Sequence, residues 1–260
     1  MQGLIPVSDP LLRRYEELLL RRNELRKACL HLAEEYTRVF GPLMLEVFRL
    51  KLECAKKKKA IGFCQQAVNR GRLPDEKELK DFILRETEAM QRHLAEMAEE
   101  CERAKNFTVI TEADAARIRV IYRKLARKLH PDMNPAVEHA PALRELWLKT
   151  LSAYNRNDLQ ELQELEALAA RALSETGGET IPLRIEGLEE KITGLEKEIR
   201  GILDTDPYQY KFLLEDGEAV AERKRALAEE KSAWEEYSAQ LDEVMASVLP
   251  EGVIMIWDLN

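Results

Sequence analysis

The chain has 260 residues, 45% hydrophobic, 34% charged and only 6% aromatic, a composition typical of long helices rather than of a sheet protein. Forty Lys and Arg against 48 Asp and Glu give a net charge of −8, which argues against nucleic-acid binding through the overall field. Eleven Gly and ten Pro are too few for a β-sandwich with a turn every ten residues or so.

No stretch approaches the roughly 18 uncharged apolar residues of a membrane span, and Met1 to Pro10 lacks the charged-then-apolar order of a signal peptide. Ser8, Asp9 and Pro10 read as a helix start. Leu11, Tyr15, Leu18, Leu25, Cys29, Leu32, Tyr36 and Val39 then follow a heptad seam, with Arg22 as a polar intruder. Gly41-Pro42 interrupts it, and Leu43, Val47, Leu50, Cys54, Ile61, Cys64 and Val68 resume one residue out of phase. Either a kink or the junction of two helices fits that break. Lys56 to Lys59 form a basic run, expected to be a solvated helix face. Asn69 to Pro74 is a turn. Asp75 and Glu78 start a further helix with Leu79, Ile83, Met90, Leu94, Met97 and Cys101 on its apolar side. The short connection predicts that it folds back antiparallel on the first. Cys29, Cys54, Cys64 and Cys101 lack C-x-x-C pairing, so they read as small buried hydrophobes in a reducing, cytoplasmic setting and not as a zinc module. His31 and His93 read as surface or boundary residues without metal partners.

The middle of the chain differs. Thr111 and Asp114 form a capping box, and from Ala115 to Pro131 there is no acidic residue. Arg117, Arg119, Arg123, Lys124, Arg127 and Lys128 lie opposite an apolar stripe of Ile118, Ile121, Tyr122, Leu125 and Leu129. Pro131 ends this basic amphipathic helix near His130. Pro141 opens the next, whose apolar side is Leu143, Leu146, Trp147, Thr150, Leu151 and Tyr154. Asp158 and Glu161 cap a third, with Leu162, Leu165 and Leu168 facing inward.

Tyr122 to Pro135, Y-R-K-L-A-R-K-L-H-P-D-M-N-P, resembles the second helix and His-Pro-Asp loop of the J-domain, the module of DnaJ/Hsp40 co-chaperones. Tyr122, Leu125 and Ala126 stand at the family's core positions, and Trp147, Ala153 and Tyr154 match those of its third helix. The resemblance spans Phe107 to Asn157. The family's first-helix signature, an aromatic pair followed by Leu-Gly, is missing just upstream, and the helix ending near Lys105 is expected to replace it. Thr150 stands where the family usually has Ile, and neither a Gly/Phe-rich linker nor a Cys-rich zinc module follows. The resemblance implies an Hsp70 (DnaK-type) partner, contacted through Arg123, Lys124, Arg127, Lys128, His130, Pro131, Asp132 and Asn134. It implies no catalytic residue, cofactor or metal of its own, since the ATP hydrolysis belongs to the Hsp70.

In the last third, Thr176 to Glu179 reads as a linker, followed by a seam of Ile181, Ile185, Leu188, Ile192, Leu195, Ile199 and Ile202. Asp204 to Pro207 forms a turn. Leu213, Val220, Leu227, Trp234, Leu241 and Val248 then recur every seven residues, joined by Tyr237 and Val244, with Asp216-Gly217 as a break. Two such helices read as an antiparallel hairpin, the end of the longer one packing on the N-terminal helices. The apolar tail Val253 to Trp257 is left unassigned between strand and helix. The expected fold is all-α, with long antiparallel helical hairpins or coiled coils flanking a small J-domain-like hairpin. Its divisions are 8–106, 107–173, 181–249 and a tail 250–260. The expected function is recruitment and stimulation of an Hsp70, with arms that bind a client protein or assemble as a homodimer, and with neither nucleic acid nor membrane as partner. The alternative is a structural coiled-coil scaffold whose J-like domain lacks Hsp70 activity.

Overall fold

The computed structural model describes residues 10–105, 110–175 and 187–248. The fold is all-α: every regular element among the described residues is a helix. In chain order these are α1 (Pro10–Asn69), α2 (Glu76–Lys105), α3 (Glu112–Leu129), α4 (Ala136–His139), α5 (Pro141–Asn155), α6 (Leu159–Glu175), α7 (Leu188–Leu203), α8 (Tyr210–Glu215) and α9 (Gly217–Val248). Among the described residues no helix is long and apolar enough to cross a membrane. The expectations for the linker after Thr176, for Ile181 and Ile185, and for the tail Val253 to Trp257 lie outside the described residues.

The caps form where the side chains allow. Asp75 Oδ1 accepts from the Glu78 amide at 2.8 Å, Thr111 Oγ1 from Asp114 at 3.1 Å, and Asp158 Oδ1 from Glu161 at 2.9 Å. Each satisfies one of the orphan N–H groups of a first helical turn. Asp216 does the same for Glu218 and Ala219, so α8 and α9 separate there. At Gly41-Pro42 α1 continues as one helix with Pro42 inside it.

The chain divides into two compact units, one of Met1–Ala33 with Thr108–Lys211, the other of Glu34–Phe107 with Phe212–Asn260. Each therefore draws on two separate stretches of sequence, a grouping that the serial division of the sequence does not contain. In the first unit α3, α5 and α6 pack around Tyr122, Leu125, Leu129, Leu143, Ala153 and Leu162, all at most 1% exposed. The core is completed by Leu12, Tyr15, Leu18, Leu19 and Leu20 of α1, and by Leu188, Ile192 and Leu195 of α7. The helix that packs beside α3 in this core is thus α1 and not the one ending at Lys105. The register of the N-terminal seam is also corrected: Leu11 is exposed and Leu12 is buried. Likewise Leu168 is exposed and Ala169 takes the inward place on α6.

In the second unit Ala60 and Cys64 of α1, Leu79 and Ile83 of α2 and Met245 of α9 form a smaller apolar cluster, flanked by Phe63, Phe82 and Val248. The end of α9 thereby packs on the N-terminal helices, through Met245 and not through Val244, which is exposed. A Cβ at Gly41 would lie 2.8 Å from Cys101 Sγ, so glycine lets α1 and α2 approach closely at that point. Lys57 departs from the expectation of a solvated basic run, whereas Lys58 and Lys59 are exposed and Lys56 is half-buried. The Lys57 ammonium is buried, with Nζ 2.7 Å from Asp242 Oδ2, 2.8 Å from Glu53 Oε1 and 2.7 Å from Ser238 Oγ. Burial pushes its pKa down, but the bonds to Asp242 and Glu53 more than offset this, and the net direction is upward. Lys57 therefore stays charged and cannot act as a base toward the Ser238 hydroxyl. The four cysteines are free thiols, three of them buried, and burial pushes their pKa values up.

Candidate functional site on α3 and the following loop

α3 ends because Pro131 follows His130, whose backbone turns extended at ψ 126° while its N–H still bonds Ala126 O. The His130 carbonyl then accepts from the amides of Met133 and Asn134 at 2.9 and 2.8 Å, closing a tight turn. Asn134 braces that turn from both sides. Its Nδ2 donates to Lys128 O at 2.8 Å and its Oδ1 accepts from the Ala136 amide at 3.2 Å. Met133 and Val137 anchor it in the core.

His130 is itself part of the packing. It is 7% exposed and meets the Trp147 ring edge-on, with centroids 4.9 Å apart. Its Nδ1 accepts from the Asp132 amide at 3.1 Å, which leaves the ring proton on Nε2. Burial lowers its pKa, nearby Asp132 pulls it back up and Arg22 lowers it further; the net direction is down. A neutral imidazole at pH 7 follows. Beneath it the Tyr122 ring stacks on Tyr154 at 3.7 Å, with Trp147 beyond. The Tyr122 hydroxyl is satisfied by Asn23 Nδ2 at 2.8 Å, and burial pushes its pKa up to about 12.

Asp132 points outward, its side chain 47% exposed. One oxygen, Oδ2, accepts from the Tyr15 hydroxyl of α1 at 3.2 Å. Burial, and after it the charge and bond of Asp132, push the Tyr15 pKa up to about 12, so the phenol keeps its proton and acts as a donor. A cleft of about 310 Å³ opens beside His130, between Arg22, Asn23, Arg26, Trp147 and Tyr154.

The four basic residues of the predicted contact divide into two pairs. Arg123 donates to Glu24 Oε1 of α1 from Nε at 2.9 Å and Nη2 at 2.7 Å, and Lys124 lies 3.3 Å from Glu166 Oε1 of α6. Arg127 and Lys128 are exposed and form no ion pair with the described residues. The eight sequence-predicted site residues thus lie on one continuous surface of α3 and its loop. Two of them do not present their functional groups on that surface: the His130 ring is buried against Trp147, and the Asn134 side chain is spent on bracing the turn. Sequence reasoning missed Tyr15, Asn23 and Glu24. Tyr15 stood in the heptad seam as a core residue, but it is 117 positions from Asp132, and no local pattern joins the two. Among the described residues no group of three or more His, Cys, Asp or Glu is placed to hold a metal ion. No protein-family model, curated protein or solved structure matches this chain.

Proposed function

We propose that the chain is a J-type co-chaperone of the cytoplasm, which recruits an Hsp70 and stimulates its ATP hydrolysis through α3 and the His130-Pro131-Asp132 loop. The observation that carries this reading is the state of that loop. Its shape is fixed by Pro131, by Asn134 and by His130 against Trp147, yet the Asp132 carboxylate is half exposed at its tip. A carboxylate held out on a preformed turn can accept a charge-assisted hydrogen bond from a partner arginine with little further ordering. Arg127 and Lys128, on an otherwise acidic chain, orient the encounter with an acidic partner surface and raise its rate. His130 works as a packing and hydrogen-bonding group, not as an acid or base. The long helices of the second unit are the parts available for a client or for assembly. The test is single-turnover ATP hydrolysis by each Hsp70 of the host. Stimulation by the wild type that disappears in Asp132→Asn supports the proposal, and no stimulation by the folded wild type with any of them overturns it.

A second reading, a helical scaffold whose J-like part is only a packing module, is favoured by one observation: Arg123 and Lys124 are already neutralised within the chain. On that reading Asp132→Asn changes nothing beyond the Tyr15 contact.

A further inference from the structure

Resting on the co-chaperone reading, we infer that Glu24 of α1 and Glu166 of α6 compete in cis with an acidic partner for the basic face of α3, so that the folded chain is a restrained form of the module. Three residues of the proposed contact surface are already engaged, by three different side chains. Glu24 holds Arg123, Glu166 holds Lys124, and Tyr15 holds one oxygen of Asp132. These intramolecular carboxylates offer the guanidinium and the ammonium the same chemistry that an acidic partner would offer. The two contacts differ in strength. The Glu24 side chain is only 16% exposed and receives two donors from one guanidinium, whereas the Lys124–Glu166 pair is longer and its side chains are 56% and 37% exposed. Withdrawing Arg123 would leave a largely buried carboxylate without its partner, which is costly. Lys124 gives up a solvated pair at little cost. Arg127 and Lys128 are therefore the first to meet a partner, Lys124 follows, and Arg123 is released last. The restraint resides mainly in Glu24.

The experiment titrates the full chain against the Hsp70 in single-turnover hydrolysis, comparing wild type, Glu24→Gln, Glu166→Gln and the double variant. Glutamine keeps the size and a neutral acceptor but removes the competing charge. A control carries Glu145→Gln with Glu235→Gln, the same change in net charge at carboxylates that pair with Lys149 and Lys231 and not with α3. All are repeated with Asp132→Asn, and thermal melts check that each variant is folded. The expected result is a half-maximal concentration about three- to tenfold lower in the double variant, most of it from Glu24→Gln, with the control close to wild type. An equal fall in the control overturns the inference, since general charge then explains the gain. Weaker stimulation by Glu24→Gln also overturns it, because the carboxylate then organises the surface instead of masking it. Stimulation that persists unchanged with Asp132→Asn contradicts the co-chaperone reading of the loop but leaves the competition itself measurable. Absence of stimulation by every protein in the set overturns both.

Discussion

The rings of Tyr122, Trp147 and Tyr154 and a set of leucines fill the centre of the first unit. In the second unit a small apolar cluster is joined by the ammonium of Lys57, set among Asp242, Glu53 and Ser238. The difference teaches what each unit can be asked to do. A close-packed aromatic core fixes its surface groups to within small tolerances, because side chains cannot shift without opening voids. On the proposed function, that is the support the His130-Pro131-Asp132 loop needs. In the second unit a polar latch adds to apolar side chains buried along long helices, among them Phe40, Val47, Leu52, Leu227 and Leu241, and those helices expose extended faces to solvent.

The largest effect is expected where the first unit is most tightly packed. Tyr122→Ala removes the stacked ring and takes the acceptor from Asn23 Nδ2. It should cost about 3–5 kcal/mol, as large-to-small aromatic changes do, seen as loss of hydrogen-exchange protection in α3 and α5. Unchanged protection there would remove the aromatic core from the explanation. Lys57→Met tests the other side of the comparison. Its carboxylate partners are about half exposed and rehydrate when the ammonium goes, so a loss of about 1–2 kcal/mol is expected, confined to exchange in the helices of the second unit. A gain in stability would mean that the latch serves alignment alone. Thr111→Ala, which deletes the cap of α3, should cost about 1 kcal/mol and fray the first turn of that helix, as read by its amide exchange.

Smaller still is a pH effect particular to the first unit. His130 titrates below its ordinary value because it is buried. As pH falls through about 6.5 the unfolded chain takes up the proton first, so folded stability is complete above that point and declines below it until the folded imidazole protonates. The melting temperature should fall between pH 7.5 and 5.5, and fall less in His130→Gln. Equal slopes for the two proteins would refute the assignment. Smallest of all in stability is Asp132→Asn, expected to stay within about 0.5 kcal/mol of wild type, since the amide oxygen still accepts from Tyr15.

How much of this was legible in the sequence follows from the range of each signal. Helix boundaries at Asp75, Thr111, Pro141 and Asp158 were readable because caps and prolines act over one turn. The inward faces of α3 and α5 were readable because Ile118, Tyr122, Leu125, Trp147 and Tyr154 repeat at helical spacing. Leu11 and Leu168 misled because runs such as Leu18-Leu19-Leu20 offer several registers, and only the neighbour selects one. The role of Tyr15 and Glu24 was hidden for a different reason. Their partners are separated from them by the whole of α2 and the rest of α1, and pairing over such distances is decided by the packed core and not by local pattern. Lys57 shows the same limit: a lysine within a basic run looks solvated until Asp242 and Ser238 are brought to it from another helix.

The most direct test of the central claim maps where the partner touches. Hydrogen exchange of the chain would be followed with and without a stoichiometric host Hsp70 in its ATP state. The account predicts new protection over 123–134, on α3 and its loop, which is abolished by Asp132→Asn. Protection confined to α9 and α2, or unaffected by that substitution, would contradict it and assign the interaction to the helical arms.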